Sequence, residues 1–268
     1  MNYSSCFLKL INRNQASFTK IMKLLHRFVV YLIGIFTYVE IGVLKMELQK
    51  EVDLQKEKPS LLGMFISPGL QFERIKGNPK FWVPLIIISI LYVIGTTFMA
   101  LSMNESIFID QGVPEDQIDI ALMFAKVTVA ITGVLMPIFG VLISSAIQLA
   151  IARLASSTVS FKQLLSMNTF IMIIGAAGLI LNNAIRYAIG GNIYIYITSL
   201  AGLLNQEKAG VLGSIEVFGI WSLVLTAIGL HKTAEFSKGL AWTIAILIFL
   251  IQIGFGLIGT LSQGVPKL

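Results

Sequence analysis

A chain of 268 residues with 56% hydrophobic and 13% charged side chains and a mean hydropathy of +0.82 cannot cover itself with a water-soluble surface. A globular domain carries about twice that charge. The net charge of +6 does not point to nucleic acid either: 12 of the 20 basic residues precede Phe81, and that region holds no base-reading or phosphate-reading motif. Its basicity fits membrane topology and contact with anionic membrane lipid. The single cysteine, Cys6, excludes an intramolecular disulfide, and the serines before it do not form a lipoprotein cleavage context.

Residues 1–45 contain an apolar run at 28–44, interrupted by Glu40 and preceded by Lys9, Arg13, Lys20, Lys23 and Arg27. The basic lead is too long for a signal peptide, and no small-x-small cleavage pattern stands before Met46. Basic residues on both flanks argue against a span. We expect translation to begin at Met46, since Gly42-Val43 can be encoded by GGA-GTN, a ribosome-binding sequence a short way upstream. Residues 1–45 are then a non-native extension, or else an extra hydrophobic segment.

Residues 46–80 read as a cytoplasmic tail followed by an amphipathic helix. The stretch 47–60 is charged and aperiodic, as a flexible tail is. Ser67-Pro68-Gly69 has the form of a helix start, and Gly77 and Pro79 supply the stop, which predicts a helix over 68–76. Two readings fit its surface. In one, Phe65, Pro68, Phe72, Arg74 and Lys76 anchor it on the inner leaflet; in the other, the same region caps the cytoplasmic end of the membrane bundle.

Residues 81–268 predict an all-α integral membrane domain of five transmembrane helices. The first span, 81–101, is uncharged and long enough to cross about 30 Å of hydrocarbon. Lysine and arginine crowd its amino side, while Glu105, Asp110, Glu115, Asp116 and Asp119 follow it, so the amino end is cytoplasmic. The second span, 119–154, is read as one long helix kinked at Pro137. A polar turn leads to the third, 164–187, where Gly175, Gly178, Asn182 and Arg186 form a stripe suited to helix contact. Residues 190–210 form the longest outer connection, and the run NIYIYITSLAGLL within it is too short and too rich in Tyr and Thr for a span and predicts an interfacial hairpin or helix. The fourth span, 211–230, and the fifth, 240–261, complete the set and leave the carboxyl end outside.

Chemistry is sparse. The sequence has no HExxH, no GxSxG, no phosphate-binding loop and no Cys/His cluster, so we expect no catalytic residue, no metal and no cofactor. The outstanding polar groups are Lys126 and Glu216, each costing about 2.5–3.5 kcal/mol if held alone at mid-bilayer. They are expected to meet as an intramembrane ion pair, either an ion or proton site or a structural pair that sets helix register. Asn182, Asn183, Arg186 and Gln252 are candidate polar contacts within the bundle. Trp82 and Trp242 suit an interfacial aromatic belt, and Trp221 suits the core.

The patterns ISPGLQFERIKGNPKFWVPL, FKQLLSMNTF and EVFGIWSLVLTAIGLHKT, with a last apolar run beginning AWTIAIL, together resemble the Yip family of Ypt/Rab-interacting membrane proteins in its bacterial branch. The resemblance covers residues 59 to 268 and is most specific around Phe218, Trp221 and Gly229. It implies a five-span bundle, no established catalytic activity, and action through protein partners; in the bacterial branch these are ABC-type efflux machinery, a permease and its ATPase, that protects against a secreted toxic peptide. Two functions therefore compete: a non-enzymatic accessory or assembly factor for such a membrane complex, and a small-solute or ion transporter using polar residues inside the bundle. Against the second stand the missing inverted repeat and the missing paired broken helices.

Overall fold

The computed structural model describes residues 57–109, 111–190, 192, 194–206 and 209–262, with side chains through Phe255, all inside one compact unit, Leu54–Leu268. The expectations for residues 1–56, including a start at Met46, lie outside the described residues. The order is α1 Gly63–Ile66, α2 Pro68–Gly77, α3 Trp82–Leu101, α4 Ser106–Ile109, α5 Ile118–Leu154, α6 Phe161–Ile189, α7 Leu200–Leu203, α8 Gly210–Ser214, α9 Val217–Thr233 and α10 Lys238–Ser262. Among the described residues, helices α3, α5, α6 and α10 are long and apolar enough to cross a membrane.

The long helices begin and end where composition changes. Helix α3 holds no charged residue and stops as the chain turns polar at Ser102. Helix α5 is continuous for 37 residues with Pro137 inside it, the single long helix expected. At 1.5 Å per residue it is about 55 Å long, well beyond the hydrocarbon thickness, so it tilts or projects from the bilayer. Helix α6 starts at a capping box in which Ser160 accepts from the Gln163 amide and the Gln163 side chain accepts from the Ser160 amide, satisfying donors that a helix start leaves free.

Helix α6 is the axis of the fold. It packs against α3, α5, α9 and the short α1–α2 pair, and 67% of its apolar window is buried, against 17% for each of the other three long helices. Small residues make the approach possible. A Cβ on Gly178 of α6 would lie 2.8 Å from the Phe218 ring of α9, one on Gly95 of α3 would lie 2.8 Å from Leu179 of α6, and one on Gly229 of α9 would lie 2.8 Å from the Met167 sulfur of α6. Of the stripe read from the sequence, Gly178, Asn182 and Arg186 are buried, and Gly175 is half-buried.

Two expectations are corrected. The fourth span does not start at Val211. The chain leaves the helix at Ile215–Glu216, where Glu216 is extended and forms an isolated antiparallel bridge with Ser199. The Leu200 amide donates to the Ile215 carbonyl at 2.9 Å, and the Val217 amide to the Thr198 carbonyl at 3.3 Å. Neighbouring backbone thus replaces the helical bonds, and α9 keeps 17 residues.

The second correction concerns the residues assigned to an inner-leaflet anchor. Phe72 is fully buried in the main core with Met64, Leu164, Met167, Leu225 and Leu230, and Phe65 packs edge-on against Trp221 at 5.5 Å. Arg74 pairs with Glu57, Lys76 with Glu235 at 2.5 Å, and Lys232 with Glu73 at 2.6 Å. The helix over 68–77 closes the end of the bundle because its apolar side finds α6 and α9 and its charges find partners. This is the alternative reading of that region.

Replacing Gly178 by Val should destabilise the bundle by about 1–3 kcal/mol through overpacking, whereas Gly254→Ala, at a site with no atom within 4 Å of the added carbon, should leave it unchanged. Thermal melting of the detergent-solubilised protein, followed by its helical signal, tests the pair.

Candidate functional site

The break before α9 gathers a polar network at one end of α6. Freed from a helix, Glu216 becomes the cap of α9, with its Oε2 accepting from the Gly219 amide at 2.8 Å. Its Oε1 accepts from the Thr198 hydroxyl at 2.5 Å. Thr198 is also held by Asn182: the Asn182 Nδ2 donates to the Thr198 Oγ1 at 2.8 Å, and the Thr198 amide donates to Asn182 Oδ1 at 3.0 Å. One turn along α6, Arg186 donates to Asn183 Oδ1 at 2.6 Å and to the Ile195 carbonyl at 2.9 Å. The same guanidinium lies over the Tyr196 ring, 5.9 Å from its centroid.

Two charges, Arg186 and Glu216, therefore grip one stretch, Ile195 to Thr198, from α6 and α9. Burial pushes the Tyr196 phenol above its ordinary pKa, with Arg186 opposing the shift and Glu216 adding to it, so its proton stays in place. Asn182, Asn183 and Arg186 are each nearly or fully buried; the Asn183 amide nitrogen has no hydrogen-bond partner among the described residues.

Beside this network an open cavity of about 380 Å³ lies between the long helices. Tyr92 comes from α3, Ser144 and Gln148 from α5, Asn168 and Gly175 from α6, Glu216, Ser222 and Thr226 from the α9 region, and Gln252 from α10. At the opposite end from Glu216, Asn168 donates to Ser145 Oγ at 2.9 Å and to Gln148 Oε1 at 2.8 Å. Hydroxyls and carboxamides share the wall with apolar side chains such as Val141, Ile171, Leu179, Phe218 and Ile248, with one carboxylate and no lysine or arginine. Such a lining can accept hydrogen bonds from a polar or cationic solute and position it.

The expected pairing of Lys126 with Glu216 is not formed. Lys126 has no ion pair among the described residues, and both oxygens of Glu216 are engaged by Thr198 and Gly219. Glu216 is stabilised by the backbone it caps and a hydroxyl, which a count of opposite charges in the sequence does not anticipate. Asn182, Asn183 and Arg186 come together as candidate contacts, while Gln252 reaches the cavity wall. The Gln148–Asn168–Ser145 cluster escaped the sequence reading. Its signal was present: Ser144, Ser145 and Gln148 share one face of a mostly apolar stretch of α5. Among the described residues no group of three or more His, Cys, Asp or Glu is placed to hold a metal.

Residues 62–260 match the Yip1 domain. The chain belongs to this family. It is also 31% identical over 228 residues to "Membrane protein YknW" of Bacillus subtilis (strain 168), a similarity covering 83% of this chain and 99% of that one. No solved structure matches. The match to the Yip1 domain takes in α2 and the capped break before α9 as well as the long apolar helices, so the polar locality described above lies wholly inside the domain.

Thr198→Val removes the hydroxyl that joins Glu216 to Asn182 and leaves buried groups unpaired, at a cost of about 1–3 kcal/mol. Hydrogen exchange across residues 194–206 is expected to accelerate in this variant and to change much less in Glu216→Gln, whose amide oxygen still accepts from Gly219.

Proposed function

We propose that this Yip1-domain membrane protein is a non-enzymatic accessory or assembly factor for another membrane complex, an ABC-type efflux system that protects the cell against a secreted toxic peptide. The observation that carries this reading is the division of its surface. Polar groups are used internally, by the buried Arg186 and Asn182 and the half-buried Thr198 and Glu216, to hold one arrangement, while α3, α5 and α10 keep large apolar faces exposed. On α5, Phe139, Ile143 and Ile147 form one outward stripe, exposed by 54%, 57% and 52%. Lipid satisfies such a face, and so does another transmembrane helix. The link to efflux machinery comes from the resemblance to the bacterial branch of the family.

The same reading takes α9 as a fifth crossing. Its 17 residues extend about 25 Å, slightly less than the usual core, and local bilayer thinning covers a deficit of that size. The amino end is then cytoplasmic and the carboxyl end outside. In a Cys6→Ser background, a cysteine at Asn205 should react with an impermeant thiol reagent added to intact cells, and one at Ser237 should not. Equal labelling of both would remove the fifth crossing.

A second reading, a small-solute or ion transporter, is favoured by the polar cavity of about 380 Å³, a size that holds a small ligand. Affinity purification from native membranes in mild detergent, with an untagged control, separates the two. An accessory factor should bring down permease and ATPase subunits in stoichiometric amount. That association should be lost when Phe139, Ile143 and Ile147 are all changed to alanine, and kept in Ser222→Phe, which fills the cavity. A transporter should copurify nothing and lose its protective effect in Ser222→Phe.

A further inference from the structure

A second concavity, of about 860 Å³, lies at the amino-terminal end of α6, between the chain leading into α1 and the first turns of α3. Its wall is apolar, with Leu62, Trp82 and Phe170, and three lysines stand on it, Lys58, Lys80 and Lys162, with no acidic residue. The charge accounting around it is uneven. The neighbouring basic residues Arg74, Lys76 and Lys232 each pair with a glutamate, Glu57, Glu235 and Glu73, and those pairs use every acid that the packed end of α2 meets in an ion pair among the described residues. The three groove lysines have no ion pair among the described residues and are all exposed.

We propose that this groove is a binding site for one anionic glycerophospholipid, its phosphate headgroup met by Lys58, Lys80 and Lys162 and an acyl chain laid along the apolar wall. Unpaired lysines over an apolar slot fit a molecule that is anionic at one end and hydrocarbon at the other. The slot continues onto the exposed face of α3, where Trp82 and Val83 are 69% and 67% exposed, and α3 is itself a membrane-crossing candidate, so an acyl chain in the slot remains in the hydrocarbon layer. A lysine close to an anionic lipid headgroup favours binding about fivefold. Trp82, with Phe81 stacked beside it at 4.8 Å, marks the level of the interface. The site is separate from the polar cavity and does not depend on the function proposed above.

The test uses the full chain in nanodiscs, with Trp221→Phe and Trp242→Phe introduced so that Trp82 is the only indole. Brominated phosphatidylglycerol at a small mole fraction should quench Trp82 at least several-fold more effectively than brominated phosphatidylcholine at the same fraction. Lys58→Gln, Lys80→Gln and Lys162→Gln should each weaken that preference about fivefold, and Lys238→Gln, which removes a charge away from the groove, should not. Equal quenching by the two lipids overturns the proposal, as does a loss in Lys238→Gln equal to that in Lys80→Gln, which would reduce the effect to general surface attraction. Native mass spectrometry of the chain with all three tryptophans gives a second reading if the reporter variant does not fold: one retained phosphatidylglycerol, lost in Lys162→Gln, supports the site, and equal retention of phosphatidylcholine overturns it.

Discussion

A backbone group that leaves a helix where packing excludes water must find a partner within the protein, because an unpaired buried amide or carbonyl is costly. That constraint governs the break at Ile215–Glu216. The helix there is interrupted, and the freed groups are met by the backbone of Thr198 and Leu200, which fixes where the segment between α6 and α9 folds back. Glu216 is then free to cap α9, and Asn182 and Arg186 complete the hold from α6. One interruption thus determines the length of α9, the placement of the connecting segment and the polar network beside the cavity.

The two ends of α6 use charge differently. At its carboxyl end, Arg186 and Glu216 are bound to the same short stretch, through Ile195 and Thr198. Removing Arg186 would leave the buried Asn183 side chain and Ile195 carbonyl unsatisfied, which costs more than the net worth of the bond. At its amino end, ion pairs between α2 and the start and end of neighbouring segments are partly exposed, and pairs of that kind contribute little to stability. There the buried apolar side chains, Phe72, Leu164, Met167 and Leu230 among them, hold α2 against the bundle, and the charges select its orientation.

The exposed surface follows from the same economy of polar groups. Because the hydrogen-bonding side chains are directed inward, α3, α5 and α10 present apolar residues outward over most of their length. A face of this kind is inert toward water-soluble partners and open to lipid and to other membrane helices. It suits a subunit whose work is done through association in the plane of the membrane, and the unpaired lysines at the amino end of α6 add a place where that plane itself can be recognised.

Length, hydropathy and charge asymmetry by themselves determined that this is a helical membrane protein, where α3, α5, α6 and α10 run to within about three residues, and that a short helix starts at Pro68. Those features depend on local composition and on the thickness of a bilayer, so a linear reading captures them. The small and polar stripe on α6 was legible for the same reason. Only the tertiary structure decided that Glu216 caps a helix and binds Thr198 instead of meeting Lys126, that Phe72 turns into the core, and that Gln148 and Asn168 find one another across 20 residues of chain. Each of these rests on which groups arrive in the same place after folding. Hydropathy fixes depth in the membrane, but rotation about each helix axis, and with it every polar partner, is set by packing.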